Sequence, residues 1–209
     1  SRPVNIETES LASIHQAIGF CSIELGDFDE AEENLLYAIK LFQQLKQPIY
    51  ISRVELGRGR LFIRRGEPAK GISHLRLVRL DFLRLAMHEE AGICGLEMVE
   101  AFVLLDRPED AERLARTIVS EFTLAGLNTR AITALGYLSE AIGAKKASTK
   151  LVSDVREYIV LLPASPAGMT AHNEWVDAGG VQITEGGPSA LFTDYGVTRG
   201  VDIVPGRQL

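Results

Sequence analysis

Apolar residues return at intervals of 40 along most of this chain, and a fixed internal period constrains architecture before any single residue is interpreted. Phe42, Phe82, Phe122 and Leu162 stand in one register, and Ala31, Gly71, Ala111 and Leu151 in a second. Ile14, Val54, Cys94 and Ala134 form a third column. Ser22, Phe62, Phe102 and Ile142 form a fourth, and Leu35, Leu75, Ala115 and Val155 a fifth. A recurring apolar position marks a recurring buried slot. A short repeat cannot bury its own apolar face, so its neighbours must stack on it.

Within each unit the apolar residues recur three and four apart. Ile14, Ile18, Cys21 and Leu25 form one stripe, and Leu35, Ala38, Ile39 and Phe42 the next. That spacing predicts helices, two per unit. First helices are expected near 10–25, 50–65, 90–105 and 129–146, and second helices near 29–46, 68–87, 108–125 and 149–162. Start signals fall in the breaks: Asp27, Glu67-Pro68, Asp106 followed by Pro108, and Ser148-Thr149. Such residues satisfy the first free amide groups of a helix, or tolerate having none to offer.

Gly19, the run Gly26-Asp27-Phe28-Asp29-Glu30-Ala31, and Ala38 resemble the tetratricopeptide repeat signature. In that family small residues let two antiparallel helices approach closely and an aromatic plugs the turn. The resemblance continues in Gly59 and Gly66-Glu67-Pro68-Ala69, and in Asp106-Arg107-Pro108-Glu109-Asp110-Ala111-Glu112. It covers about residues 10–162 and fades in the fourth unit, as in a terminal capping repeat. The family's usual unit is about 34 residues, and the extra length is expected in the second helix, where apolar periodicity continues to Leu45, Leu85 and Leu124. Armadillo and HEAT units, of about 40 to 47 residues, are the structural alternative. The resemblance implies an all-α, right-handed α-solenoid of about four antiparallel hairpins over 1–162, followed by a Gly/Pro-rich tail over 163–209. It is similar to long-helix repeats of kinesin light chains and of bacterial regulators that sense peptides or partner proteins. The chain opens on Ser1 rather than Met, which leaves room for an output domain upstream.

Composition narrows the function. The chain has 209 residues, 46% hydrophobic and 24% charged, with no apolar run of the 18 to 20 or so residues that cross a bilayer. Its first residues lack a signal-peptide pattern, so a cytoplasmic protein is expected. A net charge of −6 argues against a nucleic-acid binder. That charge is uneven: residues 53–84 hold nine Lys/Arg against three acids, while unit one crowds Glu24, Asp27, Asp29, Glu30, Glu32 and Glu33. Cys21 and Cys94 lie in apolar helical patterns without His at ligand spacing, so buried structural thiols are expected rather than a disulfide or a zinc site.

A solenoid of this kind binds partners in a concave groove lined by first helices. Placing the family's concave positions on this register gives Phe20, Arg53, Leu56, Arg60, Arg64, Leu96, Glu97, Glu100, Tyr137 and Glu140, with Ser13, Gln16, Glu24 and Thr133 beside them. The mixture suits a protein or peptide partner more than a small metabolite. Arg53, Arg60 and Arg64 share one helix face, either to capture an acidic peptide or as a face balanced by neighbouring acids. The family's carboxylate-clamp Asn residues are absent, which disfavours a chaperone-tail adaptor. Self-association, acidic unit one against the basic segment of another copy, is the second functional reading, and an enzyme whose site the tail forms is a minor third.

No catalytic constellation stands out, and neither a cofactor nor a metal is expected. His88-Glu89-Glu90 is followed by Gly92 where a zinc-protease motif needs a second His. His15 and His74 stand singly. Gly57-Arg58-Gly59 falls inside a predicted helix and reads as close packing rather than a nucleotide loop. After Leu162 the pattern breaks: the last 47 residues hold eight glycines and four prolines, with strand-like alternation at 181–184 and 197–204. Disorder or a loosely packed arm is expected there rather than a second domain, with Trp175, Leu191, Phe192 and Tyr195 able to enter a groove, the chain's own or a neighbour's.

Overall fold

The computed structural model describes residues 2–162, which form eight α-helices in succession. They are α1 (Arg2–Leu25), α2 (Phe28–Gln44), α3 (Pro48–Arg64), α4 (Pro68–Arg84), α5 (His88–Leu104), α6 (Pro108–Leu124), α7 (Thr129–Gly143) and α8 (Thr149–Leu161). The tail and its apolar arm lie outside the described residues.

The array runs on a step of 20, half the period of the apolar columns. Helices α2 to α6 each have 17 residues and start 20 apart. From α2 to α6, first and second helices are therefore equally long. The expectation that the second helix alone carries the extra length is corrected: α2 ends at Gln44 and α4 at Arg84, and the increment is shared. The turns explain the regularity. Gly26, Lys46, Gly66, Ala86, Asp106 and Gly126 all take a left-handed conformation, again 20 apart. Around each, the next amide reaches back across the last turn, as from Gln47 to the carbonyl of Phe42, Glu67 to Phe62, Met87 to Phe82, Arg107 to Phe102 and Leu127 to Phe122. This closure satisfies the helix's last carbonyls and reverses the chain in few residues. The phenylalanines that read as two columns thus form one series at a single structural position. Proline opens α3, α4 and α6, and the Asp27 and Ser148 side chains cap α2 and α8.

Each helix packs on the next, and α1, α3 and α5 also touch one another in order, forming the inner layer of the stack. Close approach inside the hairpins depends on small residues. A methyl added at Gly19 would sit 2.7 Å from Leu35, and one added at Gly59 would collide with Leu75. Unit three reverses the sizes at these positions, with Val99 and Ala115 both fully buried. Gly57 lies against Phe20 of the preceding inner helix, so the Gly57-Arg58-Gly59 run is helix packing, as expected.

Four of the five columns are buried throughout. The Ile14 column is not: Val54, Cys94 and Ala134 are enclosed, but Ile14 is 54% exposed. Cys21 is likewise exposed, correcting the expectation of two buried thiols, whereas its register mates Leu61, Ala101 and Ala141 are enclosed. The cause is positional. In later units this stripe lies against the second helix of the preceding hairpin, and no such helix covers α1 among the described residues.

The fourth unit departs from the pattern. Turns of three residues separate α2 through α6, but α6–α7 takes four residues and α7–α8 five. Helix α8 packs more extensively on α5 than on its sequence neighbour α7. Its apolar face, Leu151, Val152, Val155 and Ile159, joins the same core as α5.

Candidate partner-binding site

Equivalent residues of adjacent inner helices are 40 apart, and their side chains meet about one turn earlier. Arg53 pairs with Glu90 at 2.8 Å, Arg60 with Glu97 at 2.6 Å, and Arg64 with Glu100 at 3.2 Å, separations of 36 or 37 residues. Arg60 also reaches back to Glu24 of α1 at 3.6 Å. A ladder of charge thus crosses the inner layer.

Its centre is out of water. Glu97 is 1% exposed and Glu100 2%. Arg156 of α8, 5% exposed, bonds both, with one guanidinium nitrogen 2.9 Å from Glu97 and 2.7 Å from Glu100. Its other terminal nitrogen donates to Ser153 Oγ at 3.0 Å. Burial works against the charge of Arg156. Glu97 and Glu100 more than offset it and raise the group's pKa above its ordinary value. Across the stack the order is Glu24, Arg60, Glu97 and Arg156, alternating in sign over four helices.

These contacts locate the expected groove residues. Arg53, Arg60 and Arg64 share a face as expected, but they spend their guanidinium groups on Glu90, Glu97 and Glu100. Leu96, Glu97 and Glu100 are enclosed rather than open to a groove, a correction caused by α8, which covers that face of α5. Phe20 and Leu56 are partly buried packing residues, and Tyr137 packs partly buried beside the core. Glu140 is exposed on α7. The structure therefore brings together the α3 and α5 members of the set and leaves the α7 members apart. Arg156 is the residue that sequence reasoning missed. Its signal was a lone cation between Val152, Val155 and Ile159, on the buried side of its helix, a place that demands an acidic partner.

The remaining basic residues of 53–84 are also largely engaged within the molecule. Arg65 bonds Asp29, Glu32 and the Phe28 carbonyl, tying α3 to the start of α2. Arg79 bonds Glu121 across α4 and α6. Arg58 and His74 both contact Glu55; burial pushes that carboxyl up, but the His74 hydrogen bond and the Arg58 charge outweigh it and hold it below its ordinary value. The acidic and basic segments thus complement each other inside one chain.

Among the described residues no group of three or more His, Cys, Asp or Glu is placed to hold a metal ion, and no helix is long and apolar enough to cross a membrane. Comparison with protein-family models, curated proteins and solved structures finds no match.

Proposed function

We propose that the chain is a protein-interaction scaffold of the tetratricopeptide kind, whose inner layer holds an amphipathic helix of a partner. One observation carries this reading: the inner face of α5 already holds a helix, α8, through an apolar seam and the Arg156 bridge to Glu97 and Glu100. A surface that seats one amphipathic helix by side-chain complementarity has the form of helix-in-groove recognition. The glycine-lined hairpins and the repeated stacking support the family resemblance. A sensory role within a larger regulator follows from that resemblance alone. An acidic partner is less well matched, since the three arginines that would receive it are paired with buried or half-buried carboxylates.

The test is affinity capture from the source cell with the unaltered chain and with a Glu97→Gln, Glu100→Gln double variant, each identified by mass spectrometry. The proposal expects one or more proteins held by the first to be lost from the second. Identical captures from two folded chains would sink it.

A further inference from the structure

Three features of α8 bear on what it does there. The first is register. The five residues between α7 and α8 form the longest turn among the described residues, and they precede a helix that packs on α5 more extensively than on its hairpin partner α7. The second is charge balance. With Arg156 in place, Glu97 and Glu100 share three arginines; without it Glu97 still has Arg60 and Glu100 still has Arg64. Removing one partner of a buried pair is ordinarily severe because a lone charge stays behind. Here no lone charge stays behind, and Arg156 itself regains water. The third is selectivity. Glu97 and Glu100 lie three apart, one turn along one face. One terminal nitrogen of the Arg156 guanidinium bonds both carboxylates while the other donates to Ser153 Oγ. A lysine ammonium, a point charge, does not reproduce this two-nitrogen arrangement, and an apolar side chain would leave the carboxylates' outer lone pairs desolvated.

We infer that α8 is a displaceable internal occupant of the scaffold's groove, and that the partner is an amphipathic helix carrying an arginine where α8 carries Arg156. The inference rests on the groove reading above and adds its regulation: the site is closed by the chain's own helix until a better-matched one replaces it. Competition of this kind lowers apparent partner affinity by the fraction of molecules in which α8 is docked.

The probe is a fluorescently labelled synthetic peptide of residues 148–162, titrated by anisotropy into the full chain and into a full-chain Arg156→Gln variant. The peptide is expected to bind the variant about tenfold tighter than the unaltered chain, and a peptide with Gln in place of that Arg to lose the gain. Hydrogen exchange on the unaltered chain provides a measurement that needs no variant. Amides of α8 are expected to exchange about tenfold faster than those of α5, through local opening. Protection of α8 equal to that of α5, or a peptide that binds neither chain, overturns the inference. The groove reading fails separately: capture unaffected by the Glu97→Gln, Glu100→Gln change refutes it even where the peptide exchanges with α8.

Discussion

Glu97 shows how much a single position can depend on its surroundings. It is almost fully buried, and the charges that make it tolerable come from Arg60 of α3 and Arg156 of α8. Glu97→Ala leaves Arg60 with only the longer contact to Glu24 and Arg156 with Glu100 alone, and urea unfolding should show a loss of about 2 kcal/mol. The two cysteines separate just as sharply. Cys21 is exposed, whereas burial pushes the Cys94 thiol pKa far above its ordinary value, and Cys94 bonds the Leu75 carbonyl at 3.3 Å. A maleimide reagent should therefore label one thiol per native chain, at Cys21, and the second only after unfolding. Rapid labelling of both would mean that the α4–α5 contact opens readily. Glu55 sets an acid limit. Its folded carboxyl sits below the ordinary value of 4.5, so its contribution is full above that pH and fades as pH falls through the folded value. Glu55→Gln should flatten the loss of melting temperature below about pH 4.5 relative to the parent.

At the scale of the helix, equivalent positions are not equal in energy. Phe82 lies fully buried at the end of α4, and Phe82→Ala should cost about 3 to 5 kcal/mol. Ile14→Ala, on the exposed stripe of α1, should cost under about 1 kcal/mol despite belonging to a core column. The turns make a prediction of the opposite sign. Ala86 stands left-handed, at a φ of 55°, where Gly66 fills the equivalent place. Ala86→Gly relieves steric strain that outweighs the added freedom of the unfolded chain, so a gain of about 0.5 kcal/mol in urea unfolding is expected. A loss there would show that the turn geometry costs the alanine nothing.

Taken whole, the molecule is a stack whose charged halves are matched internally, through α2 with α3, α3 with α5, and α4 with α6. Arg60, Arg65 and Arg79 of the basic segment are paired within the chain rather than free for a second copy. Light scattering should accordingly report no oligomer that dissociates as salt rises over the range that shortens the Debye length from about 30 to 3 Å. Dissociation on that titration would restore the self-assembly reading. The fold was legible in the sequence because helices α2 to α6, of one length and turned by one device, place the same slots at the same interval; four of five columns are buried throughout for that reason. The half-step of 20 was harder to read, because Lys46, Ala86 and Asp106 occupy turn positions that glycine fills elsewhere. The site was legible only in part. Arg60 and Glu97 could be placed on adjacent inner helices by register, since periodicity carries local geometry. That α8 would pack beyond its hairpin and bring Arg156 onto α5 could not be read that way. The contact joins residues 56 apart, outside the repeat interval, and only the packed tertiary arrangement decides which apolar face α8 covers.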